Sequence, residues 1–340
     1  MFSFKNDYSE GCHPRILEAL TRTNLEQTVG YGLDEHCQNA AELIRTRFAC
    51  PQADVHFLVG GTQTNMTAIS AFLRPHQCVL GAANAHVNVH ETGAIEATGH
   101  KVVTRPAPDG KLTADLIRDM VQEHTDEHMV KPAMVYISQS TELGTVYTLA
   151  ELEDISACCR QLGLLLYVDG ARLACALTST ACDIKPFDLA RLCDAFYIGG
   201  TKDGALFGEA LVIVNDALKA DFRFHIKQRG GMLAKGRLLG IQFEELFRDE
   251  LYFELARHAN RMARRLQDGL TGLGIPLLCQ SPTNLVFPIV DCALLERFAR
   301  LALFEVWGEA SDGRKIIRLV TSWATTEESV DGLLAALAEG

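Results

Sequence analysis

The sequence predicts an α/β fold: a mostly parallel central sheet with helices on both faces, followed by a small C-terminal α+β domain. Three observations predict it. Short apolar runs alternate with longer amphipathic segments, the runs stop at glycines, and the pattern changes after a long helical stretch near residue 250. Strand–helix alternation is the mark of a parallel sheet covered on both faces.

Strands are expected at 55–60, 78–82, 101–106, 133–138, 164–170, 194–200 and 210–214, where runs rich in β-branched and aromatic residues are too short for helices. Helices are expected at 66–73, 91–99, 112–125 and 149–163, the last ending at Gly163. A long helical stretch covers 233–273. Beyond it come the apolar run NLVFPIV, a helix around ALLERFARLAL, a strand in KIIRLVTSW and a last helix in EESVDGLLAALAEG. The division therefore falls near 245–255, with a large domain over 1–250 and a small one over 251–340.

Composition fits this plan. The chain has 340 residues, 48% hydrophobic and 22% charged, ordinary values for a globular protein with a sizeable core. A net charge of −11 argues against nucleic acid or an anionic membrane as the main partner. No run approaches the length of a membrane span, and the N-terminal MFSFKNDYSEG carries charges where a signal peptide needs an apolar run. The 11 cysteines are scattered, odd in number and without a CxxC pair. That pattern reads as reduced buried thiols in the cytoplasm, not as a disulfide framework or a zinc site.

Open parallel sheets bind ligands at the carboxyl ends of their strands, and three strand ends stand out. VHFLVGGTQTN runs from a strand through Gly60, Gly61 and Thr62 into a helix. Glycines let the backbone approach an anion, and a helix start offers free N–H groups, so this reads as a phosphate cup. A glycine turn that merely caps a helix is the alternative. LLLYVDGARL ends a buried strand in Asp169, followed by Gly170, Ala171 and Arg172. Asp169 either caps the next helix or pairs with a protonated ring nitrogen. DAFYIGGTKDG ends a strand in glycines with Lys202 two residues on, placed where an amine can lose its proton and form an imine. Phosphate cup, acid and lysine in that order, each at a strand end, point to pyridoxal 5′-phosphate.

With these motifs in place the chain resembles the fold-type I enzymes that use this cofactor, and within them the threonine aldolase and β-eliminating lyase family. The likeness runs through FKNDYSEGCHPRILEAL, YGLDE (31–35), GGTQTN (60–65), NAHVNVHETGA (84–94), SQSTELGTVYTLAEL (138–152), VDGARLACAL (168–177), GGTKDGA (199–205), QRGGMLAKGRLLG (228–240) and IRLVTSW (317–323). It is nearest the branch with low-specificity L-threonine aldolases and phenylserine aldolase. The resemblance implies a lyase that cleaves β-hydroxy-α-amino acids, L-threonine giving glycine and acetaldehyde. Lys202 would carry the cofactor as a Schiff base, Asp169 would hold its ring nitrogen, and Gly61 and Thr62 its phosphate. His86 would stack on the ring and take the proton of the β-hydroxyl. Arg172 would stand by cofactor and substrate, and Arg318 would clamp the substrate carboxylate. Asp7 or Asn6 would line the pocket. Tyr31 would reach into a partner subunit's site, since the family builds its sites at a dimer interface in dimers or dimers of dimers. Arg229 or Lys235 would add charge near the phosphate. Glu142 stands where the common aldolases carry a histidine, and Asp-Gly-Ala follows the lysine in place of their Gly-Leu-Gly.

Other readings remain at this stage. A β-eliminating lyase or an aminotransferase would share the cofactor motifs, and a cofactor-binding protein without turnover would share them too. His86 and His90, four apart with Glu91 beside them, have metal-site spacing, although no third ligand is evident. His90 is expected on a helix face, and Glu91 at a helix start bonded to neighbouring backbone. Cys175 either tunes the site or only packs.

Overall fold

The structure is a computed structural model that describes residues 1–339. A two-residue strand, β1 (Phe2–Ser3), opens it. The central sheet follows as β2 (Asp54–Leu58), β3 (Gln77–Ala82), β4 (Lys101–Arg105), β5 (Lys131–Ser138), β6 (Leu165–Asp169), β7 (Ala195–Gly199) and β8 (Glu209–Ile213). Their spatial order is β2-β8-β7-β6-β5-β3-β4. Only β8 runs against the others, antiparallel to both β2 and β7. The loop from Gly200 to Gly208 is too short for a crossover helix, so β7 and β8 must pair as a hairpin. Every residue of β7 and β8 is buried, as a sheet covered on both faces requires.

All seven expected strands form, with ends displaced by a residue or two. Three helical expectations differ in detail. The helix expected from 66 begins at Gly61 and runs to Phe72, so the glycine turn is its first turn. The segment 91–99 contains only a short 3₁₀ turn, Glu96–Thr98. Thr92, Gly93 and Gly99 adopt left-handed backbone, which interrupts an α-helix. The stretch 233–273 is two helices, Arg237–Arg248 and Leu251–Gly272, parted where Asp249 leaves helical backbone.

The later strands are β9 (Leu285–Val286), β10 (Ile289–Val290), β11 (Ala302–Leu303), β12 (Glu305–Glu309) and β13 (Lys315–Val320). β13 pairs antiparallel with β9, β10 and β12, while β11 pairs in parallel with β1. Helix Leu251–Gly272 serves two cores. Tyr252, Leu255 and Ala259 pack into the core of the large sheet; Met262, Leu266 and Leu270 pack into a second core with Phe298, Ile317 and Leu333. Phe4, from the other end of the chain, is fully buried in that second core. Its backbone bonds Leu303 and Val320 at 3.0 and 2.8 Å. The N-terminal segment is thereby pinned to the C-terminal strands, with Asp7 against Arg172 just beyond the end of β6 and Tyr8 at the strand ends.

Candidate active site

The ends of β2, β3, β5, β6 and β7, with the segments that follow them, and the C-terminal sheet line a cavity of about 470 Å³. Gly60, Gly61, Thr62, His86, Asp169, Arg172, Lys202 and Arg318 all line it. These residues come from segments far apart in the chain and converge only through the fold.

The cup is the start of helix Gly61–Phe72. No side chain caps it, so its first N–H groups are left for a ligand. A β-carbon on Gly61 would lie 3.0 Å from the Tyr197 hydroxyl, so a larger residue there would crowd that side chain.

Asp169 ends β6 and is buried. It accepts hydrogen bonds from the Ala171 N–H and the Asn65 amide, each at 3.0 Å, and from the Tyr136 hydroxyl. Burial alone would raise its pKa. The charge of His86, the Tyr136 and Tyr197 hydroxyls and the Ala171 N–H together hold it below the usual carboxylate value. An ionised carboxylate facing the cavity suits a protonated pyridine. The next residue, Gly170, admits no side chain, because a β-carbon there would fall 1.9 Å from the Tyr197 carbonyl oxygen. Gly170→Ala is expected to destabilise the fold by about 3 kcal/mol or more, since the obstacle is backbone. Urea unfolding checks this, and an unchanged midpoint would refute it.

Lys202 sits in the β7–β8 loop. Gly200 and Thr201 both donate backbone bonds to Gly208, at 3.0 and 3.1 Å. The Glu209 carboxylate accepts from the Gly200 N–H and the Thr201 hydroxyl, at 3.1 and 3.0 Å. The Lys202 amine makes no hydrogen bond or ion pair among the described residues. Burial pushes the Glu209 pKa up to about 8, against the opposing pull of Lys202, Thr201 and Gly200. Asp203, also buried and near Lys202, is raised well above the carboxylate range, with burial the largest cause and the charges of Asp7 and Glu209 adding to it. The Cys175 thiol lies 3.9 Å from Asp203, behind the loop.

His86 has a partner that the sequence did not suggest. Its Nδ1 lies 2.7 Å from the carboxylate of Glu91, which is buried and not at a helix start bonding backbone. The Asn65 amide donates to both Glu91, at 2.8 Å, and Asp169, tying the histidine to the aspartate. Burial acts to lower the His86 pKa. The bond to Glu91 and the charges of Glu142 and Asp169 outweigh it, and the pKa is raised. His90 is not confined to a helix face. It lines the cavity with its ring 5.5 Å from His86 and 5.7 Å from Trp307.

The two arginines stand differently. Arg172 grips Asp7 with Nε and Nη2, at 2.6 and 3.0 Å, and Asn284 bonds the same carboxylate at 2.9 Å. Asp7 is buried behind Arg172 and is not on the cavity wall, where Tyr8 stands. Asn6 bonds Tyr8 and Ser9 in its own turn. Arg318, on β13, faces Glu305 across the β12–β13 pair and lies 4.7 Å over the Trp307 ring. Glu142 lines the cavity too.

Tyr31 lies elsewhere, in a second cavity with Arg223 and Met232. Arg229 and Lys235 line neither cavity; the Arg229 carbonyl accepts a bond from Gln63 of the cup helix at 3.3 Å. No group of three or more metal-binding side chains occurs among the described residues. No helix among them is long and apolar enough to cross a membrane.

The donor set fits pyridoxal 5′-phosphate. A helix start whose N–H groups no side chain caps, an ionised acid and a lysine without a partner among the described residues all line one cavity.

The chain is 33% identical over 335 residues to a low-specificity L-threonine aldolase of Pseudomonas aeruginosa, covering 96% of this chain and 94% of that one. It is 28% identical over 286 residues to a low-specificity L-threonine aldolase of Saccharomyces cerevisiae, covering 83% and 72%. Among solved structures, a threonine aldolase of Leishmania major superposes with a TM-score of 0.98 at 51% identity, covering 99% of each chain. A variant aspartate aminotransferase of Thermus thermophilus shares the fold at a TM-score of 0.75 and 17% identity, covering 99% and 91%. With the β-eliminating lyase family matched across residues 7–293, this chain belongs to that family.

Proposed function

We propose that this protein is a pyridoxal-phosphate-dependent aldolase that cleaves β-hydroxy-α-amino acids, L-threonine giving glycine and acetaldehyde. The observation that carries the reading is the convergence of Lys202, Asp169, His86 and Arg318 on one cavity. The N–H groups at Gly61 and Thr62 would hold the cofactor's phosphate, Asp169 its ring nitrogen and Lys202 its aldehyde carbon, with His86 and Arg172 beside it. When bound, the cofactor draws the electrons of a breaking bond at the α-carbon into its ring.

The protein's own groups supply the rest. Arg318 takes the substrate carboxylate, its planar fork suited to two parallel bonds. Arg172 keeps one nitrogen, Nη1, free of Asp7 and adds positive charge near that carboxylate. His86 has Nδ1 tied to Glu91, so Nε2 is left to take the β-hydroxyl proton. The Cα–Cβ bond then breaks, an aldehyde leaves, and the α-carbon takes up a proton to become glycine.

The base must be neutral, and the His86 pKa is raised by its acidic neighbours, so activity should rise as pH climbs through that elevated value. Glu91→Gln removes one of those acids. It should move the acid limb of kcat/KM to lower pH and lower the plateau roughly 10-fold to 100-fold. A limb that stays in place would rule out His86 as the base.

We also place the enzyme in the cytoplasm as a homo-oligomer, a dimer or dimer of dimers, with Tyr31 reaching a partner's site. All eleven cysteines are unpaired, which suits a reducing compartment. Leu33 and Phe224 are exposed apolar residues in a cavity that also contains Tyr31, and Leu25 and Val29 in the preceding segment are exposed too, a surface that favours self-association.

The deciding experiment supplies L-threonine, L-allo-threonine and phenylserine to the cofactor-loaded protein and assays aldehyde and glycine. Aldehyde with matching glycine supports the reading. Keto acid with the pyridoxamine form would mark an aminotransferase, and ammonia release a β-eliminating lyase.

A further inference from the structure

Two arginines line the cavity, each paired with a carboxylate, and the pairs are built differently. Arg172–Asp7 is closed: both side chains are buried, the contact uses two nitrogens, and Asn284 adds a third bond to the carboxylate. Nothing in it is left to exchange. Arg318–Glu305 is open. Glu305 reaches Arg318 through a single nitrogen, Nη2, and is 36% exposed against 10% for the arginine. The Glu305 carboxylate makes no other hydrogen bond among the described residues. The Arg318 Nε is buried with no partner. Half of the guanidinium fork is thus unused, while the Trp307 ring holds its face at 4.7 Å.

A buried guanidinium without a counter-charge is costly, so an empty cavity needs an acid beside Arg318. A pair made through one nitrogen at a solvent edge is weak, whereas a carboxylate that engages both edges of the fork is strong. The stacking on Trp307 keeps the arginine in place whichever carboxylate it holds.

We propose that Glu305 is a stand-in for the substrate's α-carboxylate: it neutralises Arg318 in the empty enzyme and gives way when an amino acid enters. This rests on the aldolase reading above, and it adds a residue that sets affinity for every α-carboxylate substrate. Because Glu305 competes with the ligand, the wild-type affinity is reduced by the fraction of molecules in which Arg318 is occupied.

The test uses the cofactor-loaded enzyme and follows its visible absorption during titration with glycine, and separately with 2-aminoethanol, which has the amine and no carboxylate. Glu305→Gln should tighten glycine binding roughly 3-fold to 10-fold and leave 2-aminoethanol unchanged. KM for L-threonine should fall by the same factor. In the Arg318→Lys background the Glu305→Gln gain should shrink or vanish, as coupled partners require. Unchanged or weaker glycine binding in Glu305→Gln would overturn the proposal, as would an equal shift for both ligands. The two readings separate cleanly. A wild-type enzyme that does not respond to glycine removes the aldolase reading and this proposal with it. One that responds to glycine, with no effect of Glu305→Gln, removes this proposal alone.

Discussion

In the Lys202→Ala variant, both the visible absorption of bound cofactor and aldehyde release from L-threonine should disappear, the rate falling roughly 10⁴-fold or more. Lys202 is the one lysine that lines the cavity among the described residues, so no second amine is at hand. The loss should be chemical and not structural. The loop around it is anchored by Gly208 and Glu209 through bonds that do not involve the lysine side chain. Removing the amine also removes a positive charge that favours ionisation of Glu209, so that acid should hold its proton more firmly. An unaltered far-ultraviolet dichroism spectrum would confirm that the variant folds. A variant that keeps the absorption band would exclude Lys202 as the cofactor's attachment point.

Asp169→Asn is expected to lower kcat/KM roughly 10³-fold, the scale on which one aimed electrostatic partner acts in a closed site. An amide has nearly the same shape but one acceptor oxygen in place of two, so it can keep either the Ala171 N–H bond or the Tyr136 and Asn65 bonds, which fall on the other oxygen. What it lacks is the charge, which four neighbours keep in place against burial. The cofactor should still bind through Lys202 and the cup, so the visible band should survive while turnover falls. A loss smaller than tenfold would mean that Asp169 does not govern the ring nitrogen.

Much of this site is legible in the sequence, and the reason is local. A strand end, a glycine turn and the residue after it are neighbours in sequence, so Gly61, Asp169 and Lys202 announce themselves. The supporting groups do not. Asn65 is an ordinary helix residue until the fold sets it between Glu91 and Asp169. Glu209 opens an otherwise apolar strand, a signal that an acid is buried there for a purpose, though not for which one. Trp307 and Glu305 come from the small C-terminal sheet, whose pairing with β13 sets their direction toward the cavity. The short helix foreseen at 91–99 failed because three left-handed residues overruled its apolar spacing. Asp7 was expected at the cavity, but the bidentate grip of Arg172 draws it behind the wall.

The pinning of Phe4 to Leu303 and Val320 bears on how the molecule is made. Phe4 leaves the ribosome long before its partners exist. Until the C-terminal strands emerge, Phe4 has no core to enter, and Asp7 waits for Asn284. The large sheet is made before the cavity wall, which needs Glu305, Trp307 and Arg318. Asp7 and Arg172 are made early, but Asn284, Glu305, Trp307 and Arg318 are not, so the site cannot be complete until those residues have been made.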